Sequence, residues 1–250
     1  MKFLENPFLP KRDVSHVVVG AQYFHILRDP LHDLKITPIK SPVFKQTDAR
    51  VSSHPDMMMF VCKNKVFCAP EIKKELHTSL SSYGFELLAG EKETAINYPE
   101  NIRFNCLPIG SFFFHKLNHT DPKILYDVKF LSLQLIDVAQ GYTKCSVAPI
   151  ADKALITADQ KIAGICEKLG FDVLLIREGF IDLEGYPYGF IGGCCGMIGQ
   201  NKICFSGRLD HHTDYEKIML FLDKHKVKPY WLTQQKAFDV GSIIPILEYD

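Results

Sequence analysis

Residues 201–207 read Asn-Lys-Ile-Cys-Phe-Ser-Gly, and two earlier stretches match them in pattern: Asn-Lys-Val-Phe-Cys-Ala-Pro at 64–70 and Asp-Lys-Ala-Leu-Ile-Thr-Ala at 152–158. Each begins with a turn-forming Asn or Asp followed by Lys, and continues as a short apolar strand. Because another apolar segment precedes each stretch, the pattern predicts a β-hairpin around the Asn or Asp turn. The preceding segments are 57–62, 145–150 and 196–198.

A helix signal follows each hairpin. Thr157 with Gln160, and Thr213 with Glu216, fit a capping box, in which the two side chains bond free amides of the first turn. In the remaining copy, Pro70 takes a plausible first helical position. Apolar residues then recur at helical spacing, and a third apolar strand follows. These closing strands are predicted at 85–88, 173–176 and 229–232.

The strand–strand–helix–strand unit occurs five times. A fourth copy has its second strand at 112–114, a helix starting at 119–122 and a closing strand at 133–138. The N-terminus supplies part of a fifth copy, with a second strand at 15–20, a helix at 23–34 and a closing strand at 36–39. Second strands therefore start near residues 17, 66, 112, 154 and 203, at intervals of about 42 to 49 residues. The first strand that the N-terminal copy lacks is found at 242–247.

These repeats predict an α/β fold, a five-fold ββαβ propeller closed by pairing of the C-terminal strand with the N-terminal unit. Residues 1–250 would form a single domain, since no linker or low-complexity segment divides them. The alternative is an open sheet with crossover helices, in which similar periodicity arises without a repeat. An open array would leave an apolar edge at both ends, whereas a closed ring removes it.

Composition narrows the function classes. The 250 residues are 46% apolar, and 29 Lys and Arg balance 29 Asp and Glu, so no global field favours nucleic acid or an anionic membrane. The first residues lack a signal-peptide pattern, and no run of eighteen apolar residues occurs. Eight cysteines without an export signal indicate reduced thiols in a cytoplasm. No cysteine or histidine spacing typical of zinc is present, so we expect neither a metal nor a cofactor.

If five units surround an axis, the segments that enter each first strand should face a central pocket. These segments are 53–56, 99–103, 141–145, 192–196 and 239–242. Counting back from the strands places four residues at equivalent positions, namely Asp56, Lys144, Gly193 and Ser242. Cys145 and Cys194 are likewise at equivalent positions in their units.

Two kinds of role are open for these residues. Asp56 could cap a local turn, or bind a cationic group such as a guanidinium in a bidentate pair. Cys194 and Cys195 could be packed thiols, or nucleophiles whose pKa is lowered by a neighbour such as Lys144 or His54. We take Cys194, Cys195 and Asp56 as candidate catalytic residues. The candidate substrate-binding residues are His54, Asn105, Tyr142, Lys144, Cys145, Gly193 and Ser242.

Other features have simpler interpretations. Gly192 and Gly193 mark either a close backbone approach or a positive-φ turn. A phosphate-binding loop is rejected there, because a strand follows where such a loop needs a helix. Lys144 could be a solvated lysine at a strand end. The pair His211 and His212 is expected on the surface near a helix cap.

A ring of five ββαβ units with an axial site resembles the guanidino-group-modifying, or pentein, superfamily, which includes dimethylarginine hydrolases, deiminases and amidinotransferases. Three segments carry the resemblance: Gln-Gly-Tyr-Thr-Lys-Cys-Ser at 140–146, Gly-Phe-Ile-Gly-Gly-Cys-Cys-Gly at 189–196 and Asp-Val-Gly-Ser-Ile-Ile-Pro at 239–245. They look like an uncharacterised bacterial branch of that superfamily. The resemblance implies a site that binds a small guanidinium or ureido compound.

The chain departs from the residues that the resemblance implies for catalysis. Family enzymes use a cysteine on the final strand, and residues 239–250 contain none, with Ser242 the nearest substitute. Their general acid–base histidine precedes a strand equivalent to 145–150, where this chain has Tyr142 or Lys144. Gly-Gly-Asp has become Gly-Gly-Cys. Two hypotheses follow: a divergent hydrolase acting on guanidines or amidines, and a non-catalytic protein that binds a small metabolite.

Overall fold

A computed structural model describes residues 1–91 and 96–250 of the chain. Its strands are β1 (Lys2–Phe3), β2 (Val14–Val19), β3 (Thr37–Lys40), β4 (Met59–Cys62), β5 (Lys65–Cys68), β6 (Glu86–Ala89), β7 (Leu107–Ile109), β8 (Phe112–His115), β9 (Gln134–Asp137), β10 (Val147–Ala151), β11 (Ala154–Thr157), β12 (Asp172–Leu175), β13 (Cys195–Gly199), β14 (Lys202–Phe205), β15 (Lys228–Trp231) and β16 (Ile244–Glu248). Its α-helices are α1 (Phe24–Asp33), α2 (Pro55–Met58), α3 (Lys73–Leu80), α4 (Pro122–Phe130), α5 (Thr143–Ser146), α6 (Gln160–Lys168) and α7 (Tyr215–Lys224).

The strands of the described residues form five small sheets rather than one open sheet. Four sheets have three strands, in the orders β4-β5-β6, β7-β8-β9, β10-β11-β12 and β13-β14-β15. In each of these, the first two strands are antiparallel and the third is parallel to the second. The predicted repeat is thus present, and the alternative of a single open sheet is wrong.

The first sheet joins the two ends of the described chain. Its order is β1-β16-β2-β3, and β16 is antiparallel to β2, with Ile244 opposite Val18 and Pro245 opposite Val17. β3 lies parallel to β2 on its other side. The last strand therefore completes the N-terminal unit, as the spacing of the repeats predicts.

Two of the predicted helix caps are wrong. Thr157 is the last residue of β11, and Asp159 caps α6 by accepting hydrogen bonds from the amides of Lys161 and Ile162. The aspartate is favoured because its short carboxylate reaches two free amides at once. Helix α7 begins at Tyr215 after Asp214, so Thr213 is not its cap either.

Three first strands begin later than predicted, at Met59, Val147 and Ile244. The one-turn helices α2 and α5 occupy Pro55–Met58 and Thr143–Ser146, and the strands follow directly at Met59 and Val147. Pro55 sits in the first turn of α2, where its missing N–H costs nothing. Both helices overlap the segments predicted to face the axis, and all their residues are buried.

Apolar side chains from all five units form the core. The phenylalanines of β8 contribute strongly, because Phe113 and Phe114 are fully buried and Phe113 packs edge-on against Phe60 at 6.1 Å between ring centroids. The outer helices bury one apolar face each, as Ile162, Ala163 and Cys166 do on α6. Among the described residues, no helix is both long and apolar enough to span a bilayer.

Two phenylalanines of the same unit test the core. We expect Phe113→Ala to lower the free energy of unfolding by about 3 to 5 kcal/mol, because it leaves a cavity in a packed interior. Phe130→Ala, at a side chain that is 83% exposed, should change it by less than about 0.5 kcal/mol. Urea denaturation of both variants measures the difference, and equal losses would contradict this assignment of the core.

Candidate functional site

A cycle of hydrogen bonds joins the five segments that enter the first strands. Each link runs from one unit to the next: Ser242 N to Gly193 O at 2.8 Å, Gly193 N to Cys145 O at 3.0 Å, Lys144 N to Asn105 O at 3.2 Å, Asn105 Nδ2 to Asp56 O at 3.1 Å, and Asp56 N to Gly241 O at 3.3 Å. Four of the predicted segments therefore meet, and in the remaining unit the link is made by Asn105, which lies just after the predicted segment 99–103.

Asp56 lies at the centre of this cluster. Its Oδ2 accepts a hydrogen bond from Ser242 Oγ at 2.5 Å and from Cys145 Sγ at 3.0 Å. Its other carboxylate oxygen, Oδ1, is buried and has no hydrogen-bond partner among the described residues. Only 1% of Asp56 is exposed, so a carboxylate with one free oxygen is held inside the protein. Such a group attracts a hydrogen-bond donor, above all a cationic one.

Lys144 is a buried lysine and not the solvated strand-end residue that was one reading of the sequence. Its ammonium donates to Gly192 O and to Ser242 Oγ, both at 3.0 Å, and lies 5.1 Å from the centre of the Phe8 ring. Ser242 links Lys144 to Asp56, because its hydroxyl also donates a hydrogen bond to the Asp56 carboxylate. The ammonium and the carboxylate are thus connected through one serine.

Asn105 holds the segments in register. Its Oδ1 accepts from the amides of Lys144 and Cys145 at 2.8 and 3.2 Å. Its Nδ2 donates to Asp56 O and to Cys145 Sγ. The side chain is fully buried and uses both ends of its amide, so it fixes the geometry of its neighbours.

A second buried carboxylate, Asp239, was not among the predicted site residues. It accepts from the amides of Phe190 and Gly241, both at 2.9 Å, and its Oδ1 lies 3.8 Å from His54 Nδ1. Burial raises the pKa of Asp239, and the charge of Asp56 raises it further. The signal was available, because Asp239 opens the entry segment 239–242, but position counting pointed to Ser242 instead.

Close backbone approach explains the paired glycines. A Cβ on Gly193 would lie 2.2 Å from Asp239 Oδ1, and one on Gly192 would lie 2.2 Å from Val147 O. Among the described residues, neither glycine has a positive φ, so the alternative of a strained turn is wrong. The positive φ falls instead on Gly241 and on Ser242, at 71° each.

The candidate thiols are buried and protonated. Cys194 Sγ donates to Ile191 O at 3.2 Å and Cys195 Sγ lies 3.9 Å from Gly192 O, so both point to backbone carbonyls. Burial raises the pKa of Cys195 to about 12 and raises that of Cys194 well above its ordinary value. Burial, followed by the charge of Asp56, also raises the pKa of Cys145. Lys144 lowers the pKa of Cys194 and Cys195, as predicted, but less than burial raises it.

Tyr142 lies at the edge of the cluster rather than inside it. Its hydroxyl bonds Asn101, and its ring is 5.8 Å from that of Tyr98 and 6.3 Å from that of Phe190. The ring is half-buried and lines a cleft of about 880 Å³ beside the axis. The axial residues themselves are closed off from solvent, so the structure has a buried polar cluster where the sequence predicted an accessible pocket.

Of the two histidines predicted on the surface, His211 reaches it and His212 does not. His211 is partly exposed, whereas only 3% of His212 is exposed, and its ring packs 4.8 Å from that of Phe180. Among the described residues, no group of three or more His, Cys, Asp or Glu side chains is arranged to hold a metal ion.

Residues 18–244 match the sequence profile of a family described as a family of unknown function, DUF6873. The chain belongs to this family. No curated protein sequence matches the chain.

Solved structures show what the fold is similar to. An inosamine-phosphate amidinotransferase from Streptomyces griseus aligns with a TM-score of 0.61 at 10% identity, over 99% of this chain and 98% of that one. An amidinotransferase of saxitoxin biosynthesis from Microseira wollei aligns at 0.57 and 12%, over 90% of each chain. A cysteine-to-serine variant of a dimethylarginine dimethylaminohydrolase from Pseudomonas aeruginosa, complexed with citrulline, aligns at 0.52 and 11%, over 88% of this chain and 93% of that one.

These proteins belong to the guanidino-group-modifying, or pentein, superfamily, so the resemblance predicted from the sequence is confirmed at the level of fold. The DUF6873 chain is an α/β protein of several small sheets that match this architecture. At 10 to 12% identity the likeness does not extend to activity, since one fold supports many functions.

The close approach at Gly193 can be tested against a glycine in open space. We expect Gly193→Ala to lower the free energy of unfolding by about 2 kcal/mol or more, because its Cβ would collide with the Asp239 carboxylate. Gly164→Ala is the control: on α6 its Cβ would meet nothing within 4 Å, and alanine should stabilise the helix by about 0.5 to 1 kcal/mol. Thermal and urea unfolding measure both, and a neutral Gly193→Ala would contradict the contact.

Thiol reactivity tests the protonation of the axial cysteines. Iodoacetamide reacts with the thiolate, so a raised pKa keeps the thiolate fraction of Cys194 and Cys195 very small between pH 7 and 9. We expect both residues of the folded protein to be labelled more than about tenfold more slowly than in urea, where an ordinary pKa near 8.5 returns. Mass spectrometry of tryptic peptides resolves the sites. Labelling of either cysteine at the unfolded rate would show that a reactive thiolate exists.

Proposed function

We propose that this DUF6873 protein binds a small metabolite that carries a guanidinium or a related ureido group, and does so without covalent thiol chemistry. The observation that carries the proposal is the free oxygen of Asp56, buried beside a second carboxylate. The hypothesis of a divergent hydrolase is the weaker one, because the three axial thiols that we considered all have a raised pKa.

The charges of the cluster support a cationic ligand. The cluster holds two carboxylates, Asp56 and Asp239, and one ammonium, that of Lys144, which is linked to Asp56 through Ser242. His54 Nδ1 lies 3.8 Å from Asp239 Oδ1. A bound guanidinium would neutralise the remaining negative charge and favour the ionised form of Asp239. It would also give Asp56 Oδ1 the donor that it lacks, and charge-assisted bonds of this kind are about twice as strong as neutral ones.

Access to the cluster requires a local opening. Tyr23 packs against His54 with 5.9 Å between ring centroids, and it is only partly buried. Burial and the charge of Asp239 raise the pKa of Tyr23 to about 12, so its hydroxyl is a neutral donor. Displacement of this ring would expose His54 and, behind it, the carboxylates.

We also propose that the five units form one domain, closed as a five-fold ββαβ propeller. The cycle of hydrogen bonds through the entry segments and the pairing of β16 with β2 support this closure. We further propose a cytoplasmic location, because eight free cysteines, all buried, favour a reducing compartment.

A thermal-shift screen with agmatine, arginine and citrulline tests the binding. At a ligand concentration of about 100 Kd, binding adds about 2.7 kcal/mol, which raises the Tm of a 250-residue protein by several degrees. We expect at least one of these compounds to give such a shift, and Asp56→Asn to abolish it by removing the charge and one acceptor oxygen.

Two further variants keep the result interpretable. Asp223→Asn, at an exposed position of α7, should leave the shift unchanged. Asp239→Asn should weaken it if Asp56→Asn proves too unstable to measure. The proposal fails if no guanidinium or ureido compound shifts the wild-type protein, or if a folded Asp56→Asn variant responds as the wild type does.

A further inference from the structure

The cleft beside the axis has a volume of about 880 Å³, and it lies between the unit of β10–β12 and the unit of β13–β15. The rings of Tyr98 and Tyr142 line one side. The first turns of α6 and α7 line the other and contribute Lys161 and Lys217. A cavity of this size accommodates a metabolite of ordinary size.

A smaller chamber of about 80 Å³ adjoins the cleft. The two cavities share lining residues, among them Gln140, Asp159, Arg177 and Glu178. Apolar and aromatic residues line the chamber together with polar and charged ones, among them His212.

His212 brings a buried donor to this chamber. Its Nδ1 accepts a hydrogen bond from Asp214 N at 2.9 Å, so the proton of the neutral ring resides on Nε2. Nε2 is buried and has no hydrogen-bond partner among the described residues. The Arg177 carbonyl is close enough to raise the pKa of the ring, though by less than burial lowers it. Burial lowers the pKa of His212 and keeps it neutral. An N–H group in this position calls for an acceptor oxygen.

Two cationic side chains of the cleft lack a hydrogen-bond partner among the residues that the structure describes. In the described part of the chain, no hydrogen bond or ion pair involves the ammonium of Lys161 or the guanidinium of Arg177. The carboxylates, in contrast, are engaged. Asp159 caps α6, Asp214 accepts from Arg177 N and Lys217 Nζ, and Glu178 accepts from the Tyr188 hydroxyl. The charged side chains of the cleft that can form further hydrogen bonds without giving up a partner are therefore donors, which suit an oxyanion.

We propose that this cleft is a second binding site, for a metabolite that joins a planar ring to an oxyanion, either a carboxylate or a phosphate. The oxyanion would lie between Lys161, Arg177 and the Nε2–H of His212. The ring would pack against Tyr98 and Tyr142, whose own rings are 5.8 Å apart at an angle of 49°. The site does not depend on the axial carboxylates, and its preference for anions is opposite to theirs.

Titration calorimetry with matched probes tests this site. The anionic probes are adenosine monophosphate and 4-hydroxyphenylacetate, and the neutral counterparts are adenosine and 4-hydroxyphenylacetamide. We expect at least one anion to bind more than about tenfold more tightly than its neutral counterpart, since charge-assisted bonds favour the anion. Raising the salt concentration should weaken that binding. Binding of the first probe identifies a phosphate ligand, and binding of the second a carboxylate.

Substitutions at exposed side chains locate the site without disturbing the fold. Arg177→Gln and Lys161→Gln should each weaken binding about tenfold. Lys168→Gln, at the other end of α6, is the control and should not change it. The NMR signal of the His212 Nε2 proton should shift on addition of the anion. Absence of binding by both anions, equal binding of the neutral compounds, or wild-type affinity in both variants would overturn the proposal.

This result is separable from that of the axial site. Asp56→Asn should leave anion binding in the cleft unchanged, and Arg177→Gln should leave the thermal shift by guanidinium compounds unchanged. Failure of one proposal therefore leaves the other standing.

Discussion

The structure depends on the closed cycle of hydrogen bonds that links the five entry segments. Each segment must leave the regular sheet to reach its neighbour, so the polar groups of the backbone would be buried without partners if the cycle were broken. Asn105 is the member that supplies a side chain where the others use the backbone. The cycle brings Asp56 and Lys144 each within hydrogen-bond distance of Ser242, although the three residues are far apart in the sequence.

The repeat was predictable because it depends on local sequence features, namely turns, short apolar strands and their spacing. The Asn-Lys or Asp-Lys turn recurs in three units, and the apolar strands recur at similar spacing in all five. The structure follows these signals to within a few residues. Helix caps were less predictable, because Thr157 and Asp159 both fit a cap and only tertiary packing selects the aspartate. The role of Gly193 as a close-contact residue was one of two readings and could be decided only from the position of Asp239.

Burial was the property that sequence reasoning could not supply for the axis. Polar residues just before an apolar run indicate where segments converge, but they do not indicate whether solvent reaches them. The closed cluster turns candidate nucleophiles such as Cys194 into packed thiols, and it turns Lys144 from a surface charge into an internal one. The accessible polar groups lie instead in the neighbouring cleft around Arg177, a residue to which the sequence analysis gave no role.

The pairing of β16 with β2 has a consequence for how the chain folds. Val18 and Ile244 are adjacent in the sheet, yet almost the whole chain separates them. The hairpins of the other four units are local and can form early, whereas the N-terminal unit must wait for a strand that is synthesised after those four units. Contacts of such long sequence separation slow folding. Until these contacts form, the edge of β2 that pairs with β16 is exposed. An unpaired apolar strand edge is prone to aggregation, so we expect the nascent chain to depend on chaperones at this stage.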